Sequence, residues 1–298
     1  MPELPEVETV RRMLESHVLG RVTRSVRLSS QKLRSSAIPA GFAKRLTGRR
    51  LLAARRHGKY LMIDWSDGLT LLSHLGMSGR WLFYPDQPPN HLEHVHLRVE
   101  FADGSRLWFQ DPRRFGLLRL VPTERLDRDP SLALLGPDPI ATPPTAEGLM
   151  EIARNTRIAV KNFLLDQRRL AGIGNIYASE ILHRAAVDPR RRSGLLGEDE
   201  WRRIAAEIPA VLTEATERMG TTFSMYRTLW NEPGTYGDRL TVYDRAGEPC
   251  LICGTPIRRI VQGQRSTFFC PSCQAKRKGT KSRIPQPRRG GRPRRRPS

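Results

Sequence analysis

No run in this 298-residue sequence approaches the roughly 18 uninterrupted apolar residues of a membrane helix, so a helical membrane protein is excluded. The N-terminus also lacks the basic-then-apolar order of an export signal. It carries Glu3, Glu6 and Glu8 instead, and the expectation is an intracellular, cytoplasmic protein. Cysteine is scarce: the four present all fall between positions 250 and 273, and a disulfide framework is not expected in that compartment. No internal repeat is visible. Acid is missing altogether from residues 275–298, which hold eleven Lys or Arg. That segment, made of Pro, Gly and Arg clusters, has too little apolar surface to build a core and reads as a disordered basic tail.

What is abundant is positive charge. The formal net charge is +21 and the sequence pI is near 11.0, and subtracting the eleven cations of the tail still leaves +10. An excess spread over the whole chain points to a polyanionic partner, DNA or RNA before an acidic membrane surface. The length suits two or three compact units, each with its own core.

The cysteines read Cys250-x2-Cys253, sixteen intervening residues, then Cys270-x2-Cys273. Each CxxC pair bends a knuckle that turns two thiolates toward one ion, and two knuckles joined by a hairpin complete a tetrahedral site. All four positions are filled by protein, so one structural Zn2+ is expected and a catalytic one is not. Between the knuckles, residues 260–269 read as two short strands with a turn around Gly263 and Gln264, placing Arg265 near the hairpin tip.

The chain opens Met1-Pro2-Glu3-Leu4-Pro5-Glu6. Removal of Met1 would leave a secondary amine with a carboxylate on the next residue. Such an amine attacks an aldehyde-level carbon to give a positively charged iminium, an electron sink for breaking neighbouring bonds, while the acid moves protons. A helix start accounts for much of the same segment. Pro5 suits the first turn, Glu6 and Glu8 suit the positive end of the dipole, and Val7, Val10, Leu14 and Val18 recur with helical spacing. It leaves Pro2 and Glu3 without a role.

Further on, β-like runs are expected over 21–28, 49–55, 60–65, 69–74, 94–101, 106–109 and 116–121, with hairpin signals at 66–68 and 102–104. They suggest an antiparallel β-sandwich over residues 1–122. Residues 122–144 contain six prolines and read as a linker over 123–144. Helical periodicity follows at 147–154, 160–166, 176–186 and 198–218, assigning 145–237 to a helical unit, 238–274 to a zinc ribbon and 275–298 to the tail. The turn Gly172-Ile173-Gly174-Asn175 would let a backbone come close to another group. Its following helix offers amides for a phosphate.

The blocks Met1–Thr9, His57-Gly58-Lys59-Tyr60-Leu61, His74-Leu75-Gly76-Met77-Ser78-Gly79, Asp111-Pro112-Arg113-Arg114-Phe115-Gly116, Leu135–Pro139, Gly172–Glu180 and the four cysteines occur in one order along the chain. In this combination the sequence resembles the formamidopyrimidine-DNA glycosylases, bacterial base-excision repair enzymes that share a fold with the endonuclease VIII type. The resemblance ends at Gln274. It implies an α+β multidomain fold: an antiparallel β-sandwich with an N-terminal helix, a helix-two-turn-helix domain and a zinc ribbon, with DNA in the cleft between the halves.

The resemblance also implies roles. Pro2 would be the nucleophile at C1′ and Glu3 the acid and base. Lys59 would assist β-elimination, and Arg265 would grip phosphates and assist δ-elimination. Met77, Arg113 and Phe115 would fill the hole left by a flipped base, and Asn175 would contact DNA. Neither a redox nor an organic cofactor is needed, because the iminium supplies the electron sink. The expected partner is damaged double-stranded DNA, met by a monomer at the bacterial nucleoid, and no membrane. Two positions depart from the pattern. His91 is displaced by one position from the family's His-x-His-Val element, and Arg154 competes with Arg157 for a phosphate contact ahead of the helix at 160–166. Two other functions compete: an endonuclease VIII type enzyme for oxidised pyrimidines, and a non-catalytic zinc-stabilised protein that binds damaged DNA. The Leu4-Pro5-Glu6-Val7 and Arg113-Arg114-Phe115 blocks favour the oxidised-purine enzyme, acting on 8-oxoguanine and formamidopyrimidines.

Overall fold

The computed structural model describes residues 1–34, 41–222 and 226–275. The first helix, α1 (Leu4–His17), begins with Pro5 in its first turn, and Glu3 caps it by donating its backbone N–H to Glu6 Oε2 at 2.7 Å. Its apolar stripe then divides between two cores. Leu4 is fully buried in the core of the helical unit, whereas Val7, Val10 and Leu14 pack into the β-sandwich. Burying a leucine contributes about 1.5–3 kcal/mol, so the turn that carries Pro2 and Glu3 is anchored on both sides.

The strands are β1 (Thr23–Leu28), β2 (Leu51–His57), β3 (Tyr60–Trp65), β4 (Leu69–His74), β5 (Arg80–Tyr84), β6 (Val95–Phe101), β7 (Arg106–Gln110) and β8 (Leu117–Pro122), with a short helix α2 (Phe42–Leu46) after β1. They form two antiparallel four-stranded sheets, in the orders β1-β6-β7-β5 and β2-β3-β4-β8. Trp65, Trp81, Phe101 and Phe109 fill the space between them. Both buried indoles are satisfied: Trp65 donates to Thr23 Oγ1 at 3.0 Å and Trp81 to Ser73 Oγ at 3.1 Å. The β3–β4 turn has Asp67 and Gly68 both at positive φ, 61° and 68°, the geometry that joins twisted strands in two residues. Strand β5 and helix α2 were not anticipated. The first carries a four-residue run, Trp81–Tyr84, without apolar/polar alternation, which periodicity cannot assign.

Residues 123–144 are better ordered than a linker reading suggests. They open with a 3-10 turn, Thr123–Arg128, and the buried carboxylate of Asp129 accepts from Arg119 at 2.9 Å. The helices that follow are α3 (Ala146–Ala153), α4 (Val160–Leu165), α5 (Asn175–Arg184) and α6 (Glu198–Glu217), packed around Phe163, Tyr177 and Trp201. After α6 the chain returns to the sandwich. Leu229 is fully buried in the sandwich core, and its carbonyl accepts from Phe83 N at 3.0 Å.

The last unit is a hairpin of β9 (Arg258–Gln262) and β10 (Arg265–Phe269), turned at Gly263 and Gln264 with φ of 54° and 62°. This matches the expected turn. The basic tail from residue 276 and positions 223–225 lie outside the described residues.

Candidate active site

The N-terminal segment meets the helical unit at the turn before α5. A side chain at position 174 would place its Cβ 2.2 Å from Glu3 Cδ, and one at 172 would lie 2.6 Å from Leu4 Cδ1, with Gly172 also at φ +97°. Only glycine allows this approach. The close partner of the two-glycine turn is therefore the chain's own N-terminus. The Glu3 carboxylate receives the amides of Ile176 at 3.0 Å and Tyr177 at 3.4 Å, so the helix-end donors expected to meet a phosphate hold this carboxylate instead. Asn175 is also engaged, donating Nδ2–H to the Ser266 carbonyl of the zinc hairpin at 3.0 Å.

Pro2 is buried beside this carboxylate, while Met1, through which its nitrogen is still an amide, is half exposed. Below lies Glu6, 1 % exposed, which accepts from Tyr177 Oη at 2.5 Å, Thr221 N at 2.7 Å and Glu3 N at 2.7 Å. Burial raises its pKa and the neighbouring Glu3 adds to the rise, opposed by these hydrogen bonds. The sequence had suggested only a helix-dipole role for Glu6. Its position shows a second one, fixing Glu3 and the loop after α6 to each other.

Lys59 reaches the same place from the β2–β3 turn. That turn presses on the helical unit, since a Cβ at Gly58 would lie 2.9 Å from Ala171 Cβ. Asp138 clamps it by accepting from Gly58 N at 2.8 Å and pairing with the Arg56 guanidinium, which in turn bonds Glu8 at 2.9 Å. Lys59 is 6 % exposed and its ammonium has no hydrogen-bond partner among the described residues. Burial lowers its pKa, Glu3 opposes the shift and Arg265 adds to it. Next to it, His74 is held down to about 4 by burial and by Lys59, so its ring is neutral at physiological pH, with Nδ1 accepting from Gly76 N at 3.0 Å.

Arg265 is exposed at the start of β10, one residue past the tip of the zinc hairpin. A residue given no role from sequence holds that hairpin in place. Lys161 on α4 is fully buried and donates to Ser266 O at 2.8 Å and Thr267 Oγ1 at 2.7 Å, its pKa lowered by burial to about 8. A lysine between Val160 and Phe163 on the inner face of a short helix was the available signal, because a cation there requires acceptors from another element.

The four cysteine sulfurs all lie within 4.8 Å of one another, with Cys250 and Cys273 3.9 Å apart and Cys253 and Cys270 3.5 Å apart. A ZnS4 tetrahedron with Zn–S of about 2.3 Å has edges of about 3.8 Å, so the residues fit one structural zinc, and the separations are far too long for disulfides. His183 on α5 supports the site, with Nε2 3.6 Å from Cys250 Sγ and Nδ1 2.8 Å from Thr241 Oγ1.

On the sandwich side, Met77 is 41 % exposed although it is a large apolar side chain. Arg113 is exposed, and its guanidinium lies 5.1 Å from the Phe115 ring centroid, with Arg34 at 4.7 Å. Core packing for Met77 is excluded. Arg154 is paired with Glu151 at 2.5 Å, whereas Arg157 is exposed with no ion pair among the described residues. His91 is exposed and makes no polar contact among them.

Three family descriptions match the chain in succession: the formamidopyrimidine-DNA glycosylase N-terminal domain over residues 1–118, its H2TH domain over 135–227, and the zinc finger found in FPG and IleRS over 247–276. A formamidopyrimidine-DNA glycosylase of Methylococcus capsulatus is 43 % identical over 92 % of this chain and all of its own length, and one of Cereibacter sphaeroides is 44 % identical with the same coverage. Among solved structures, a Lactococcus lactis FPG mutant in complex with Fapy-dG DNA aligns at TM-score 0.85 and 33 % identity, covering 92 % of this chain and 100 % of its own. MutM from Thermus thermophilus aligns at 0.81 and 38 %, covering 92 % and 98 %. The fold, the cysteine site and these matches together define a DNA glycosylase of base excision repair. More narrowly, the chain belongs to the formamidopyrimidine-DNA glycosylase family. None of its described helices is long and apolar enough to cross a membrane.

Proposed function

We propose that this protein is a bifunctional glycosylase and abasic-site lyase that removes oxidised purines, 8-oxoguanine and formamidopyrimidines, from duplex DNA at the bacterial nucleoid in the cytoplasm. The observation that carries this reading is the Glu3 carboxylate, next in sequence to the buried Pro2, lodged on α5, with the buried Lys59 close enough to Glu3 and to Arg265 of the hairpin to feel both charges. After loss of Met1, the Pro2 lone pair forms an N–C1′ bond as the bond from C1′ to the base breaks; the nitrogen gives up its proton, and the sugar ring opens as the C1′–O4′ bond breaks and O4′ takes a proton from Glu3. The resulting iminium makes the C2′ hydrogen acidic. Lys59 is suited to remove it, since burial increases the fraction of free amine near neutral pH. Loss of the 3′ phosphate follows, and a second elimination expels the 5′ phosphate with Arg265 on the departing charge.

Such an enzyme takes its target out of the stack, at a cost of about a few kcal/mol, and fills the gap. Met77 is a flexible plug, Phe115 a wedge and Arg113 a hydrogen-bond donor to the orphaned cytosine. Arg157, unlike Arg154, is free to meet phosphate, and Asn175 and His91 complete the DNA-facing set.

A panel of lesion duplexes tests substrate class: 8-oxoguanine opposite cytosine should be excised faster than thymine glycol. The reverse order would favour the pyrimidine reading, which stays in view because a solved wild-type Lactococcus lactis relative is bound to DNA containing an oxidised pyrimidine. The tail carries a separate expectation. The curated relatives match 92 % of this chain with all of their own length, and the zinc-finger match ends at residue 276, so ten of the eleven cations lie beyond the matched domains. Truncation after Gln274 should weaken non-specific binding and flatten the salt dependence by about 0.9 log unit per lost phosphate contact, with single-turnover chemistry unchanged. An unaltered slope would show the tail to be passive.

A further inference from the structure

Met77 and the pair Arg113 and Phe115 come from separate loops. Residues 75–79 carry the chain from β4 to β5 and residues 111–116 from β7 to β8, and each passage crosses from one sheet to the other. Two loops at one end of a sandwich could move independently. Here they are interlocked. The Asp111 side chain is fully buried, its Oδ1 accepting from Ser78 Oγ–H at 2.5 Å and from Arg113 N at 3.3 Å, and its Oδ2 accepting from Gly116 N at 2.7 Å. Ser78, 2 % exposed, accepts in turn from Arg113 N at 3.2 Å. The backbones also touch, because a Cβ at Gly76, with φ +61°, would lie 2.6 Å from Phe115 C and 2.8 Å from Gly116 N.

We propose that Ser78 and Asp111 are positioning residues that clasp the two crossover loops into one unit, so that Met77, Arg113 and Phe115 enter the vacated stack together. The inference rests on the hole-filling reading above. Its physical basis is that a buried carboxylate must keep its donors. One loop therefore cannot retreat without leaving acceptor sites on Asp111 unpaired in a dry environment. The clasp also explains why the exposed side chains need no core contacts of their own: their backbone is held from beneath.

The test uses the full-length, processed, zinc-loaded enzyme. In Ser78→Ala, single-turnover excision of 8-oxoguanine from a duplex should fall about tenfold to hundredfold, the range set by losing one buried hydrogen bond to a charged group. The fluorescence change of a 2-aminopurine beside the lesion should shrink in parallel. Cleavage of an abasic site in a single-stranded oligonucleotide, where there is no stack to fill, should stay within about twofold, which a general loss of structure would not allow. In the background Met77→Ala, Arg113→Ala, Phe115→Ala, adding Ser78→Ala should change nothing further. A full additional loss in that background, or a parallel fall in single-strand cleavage, would overturn the clasp. Where Ser78→Ala folds poorly, Asp111→Asn, which keeps volume and one acceptor, serves the same cycle. If the triple variant itself excises and signals like the parent, it is the hole-filling reading that fails.

Discussion

Borohydride added during incubation with lesion DNA should trap a covalent protein–DNA adduct in chains that have lost Met1 and none in chains that retain it. The physical reason is the nitrogen. In the processed chain it is a secondary amine that titrates at about 7.7–8.0 when unperturbed, so part of it is a free nucleophile near neutral pH. With Met1 present the lone pair is delocalised into a peptide bond and no iminium can form. The structure describes that precursor, with Met1 half exposed and Pro2 already buried next to the Glu3 carboxylate. Blocking the terminus with an uncleaved extension should lower excision by at least about a thousandfold, the scale of losing a covalent nucleophile together with the proton transfers it enables. Mass spectrometry of the N-terminus on the same samples makes the comparison quantitative. An adduct of equal yield in blocked chains would remove Pro2 from the mechanism and move attention to a lysine. No adduct in either form would leave a protein that only binds damaged DNA.

The second large effect is expected from the metal. Chelation, or Cys253→Ser, should abolish excision while leaving the melting of the β-sandwich nearly unchanged. Structural zinc contributes about 10–16 kcal/mol to the folding of small isolated finger modules, far more than the five-residue strands of β9 and β10 could supply. Their small core, Val242, Ile257 and Phe268, includes two of the ligands, Cys250 and Cys270. Without zinc that core loses its centre. Lys161 and Asn175 would then bond to a hairpin with no fixed shape, and Arg265 would leave the site. Excision should return on adding zinc back, followed as restored cleavage of lesion duplex. Full activity in a protein shown by elemental analysis to be metal-free would contradict the arrangement. The sandwich core shares no residue with the zinc core, which is why its melting serves as the internal control.

The sandwich, the helical unit and the zinc hairpin were legible because each depends on local rules. Alternation over 95–101, glycine at the hairpin turns and the CxxC spacing act within a few residues. Strand β5 escaped because a continuous apolar run carries no period. The linker reading of 123–144 missed Asp129 and Asp138, whose partners are 10 and 82 positions away. Nothing near an aspartate in sequence says which arginine it will meet.

The same division holds at the site. The four cysteines could be named from their spacing, because their type is what the metal requires, and residue chemistry with resemblance is what proposes Pro2, Glu3, Lys59 and Arg265. The assignment of α5's terminal amides was a different matter. A helix N-terminus attracts any carboxylate or phosphate, and only the packing of Leu4 against Gly172 determines that Glu3 arrives first. Likewise the buried positions of Lys161, Glu6, Ser78 and Asp111 follow from segments 33 to 215 residues apart being pressed together. By itself, then, the sequence determined which chemistry this protein carries and which local elements it builds. The tertiary structure alone decided which polar groups lose water, and so which must pair. Desolvation is a property of the assembled surface, not of any stretch of chain.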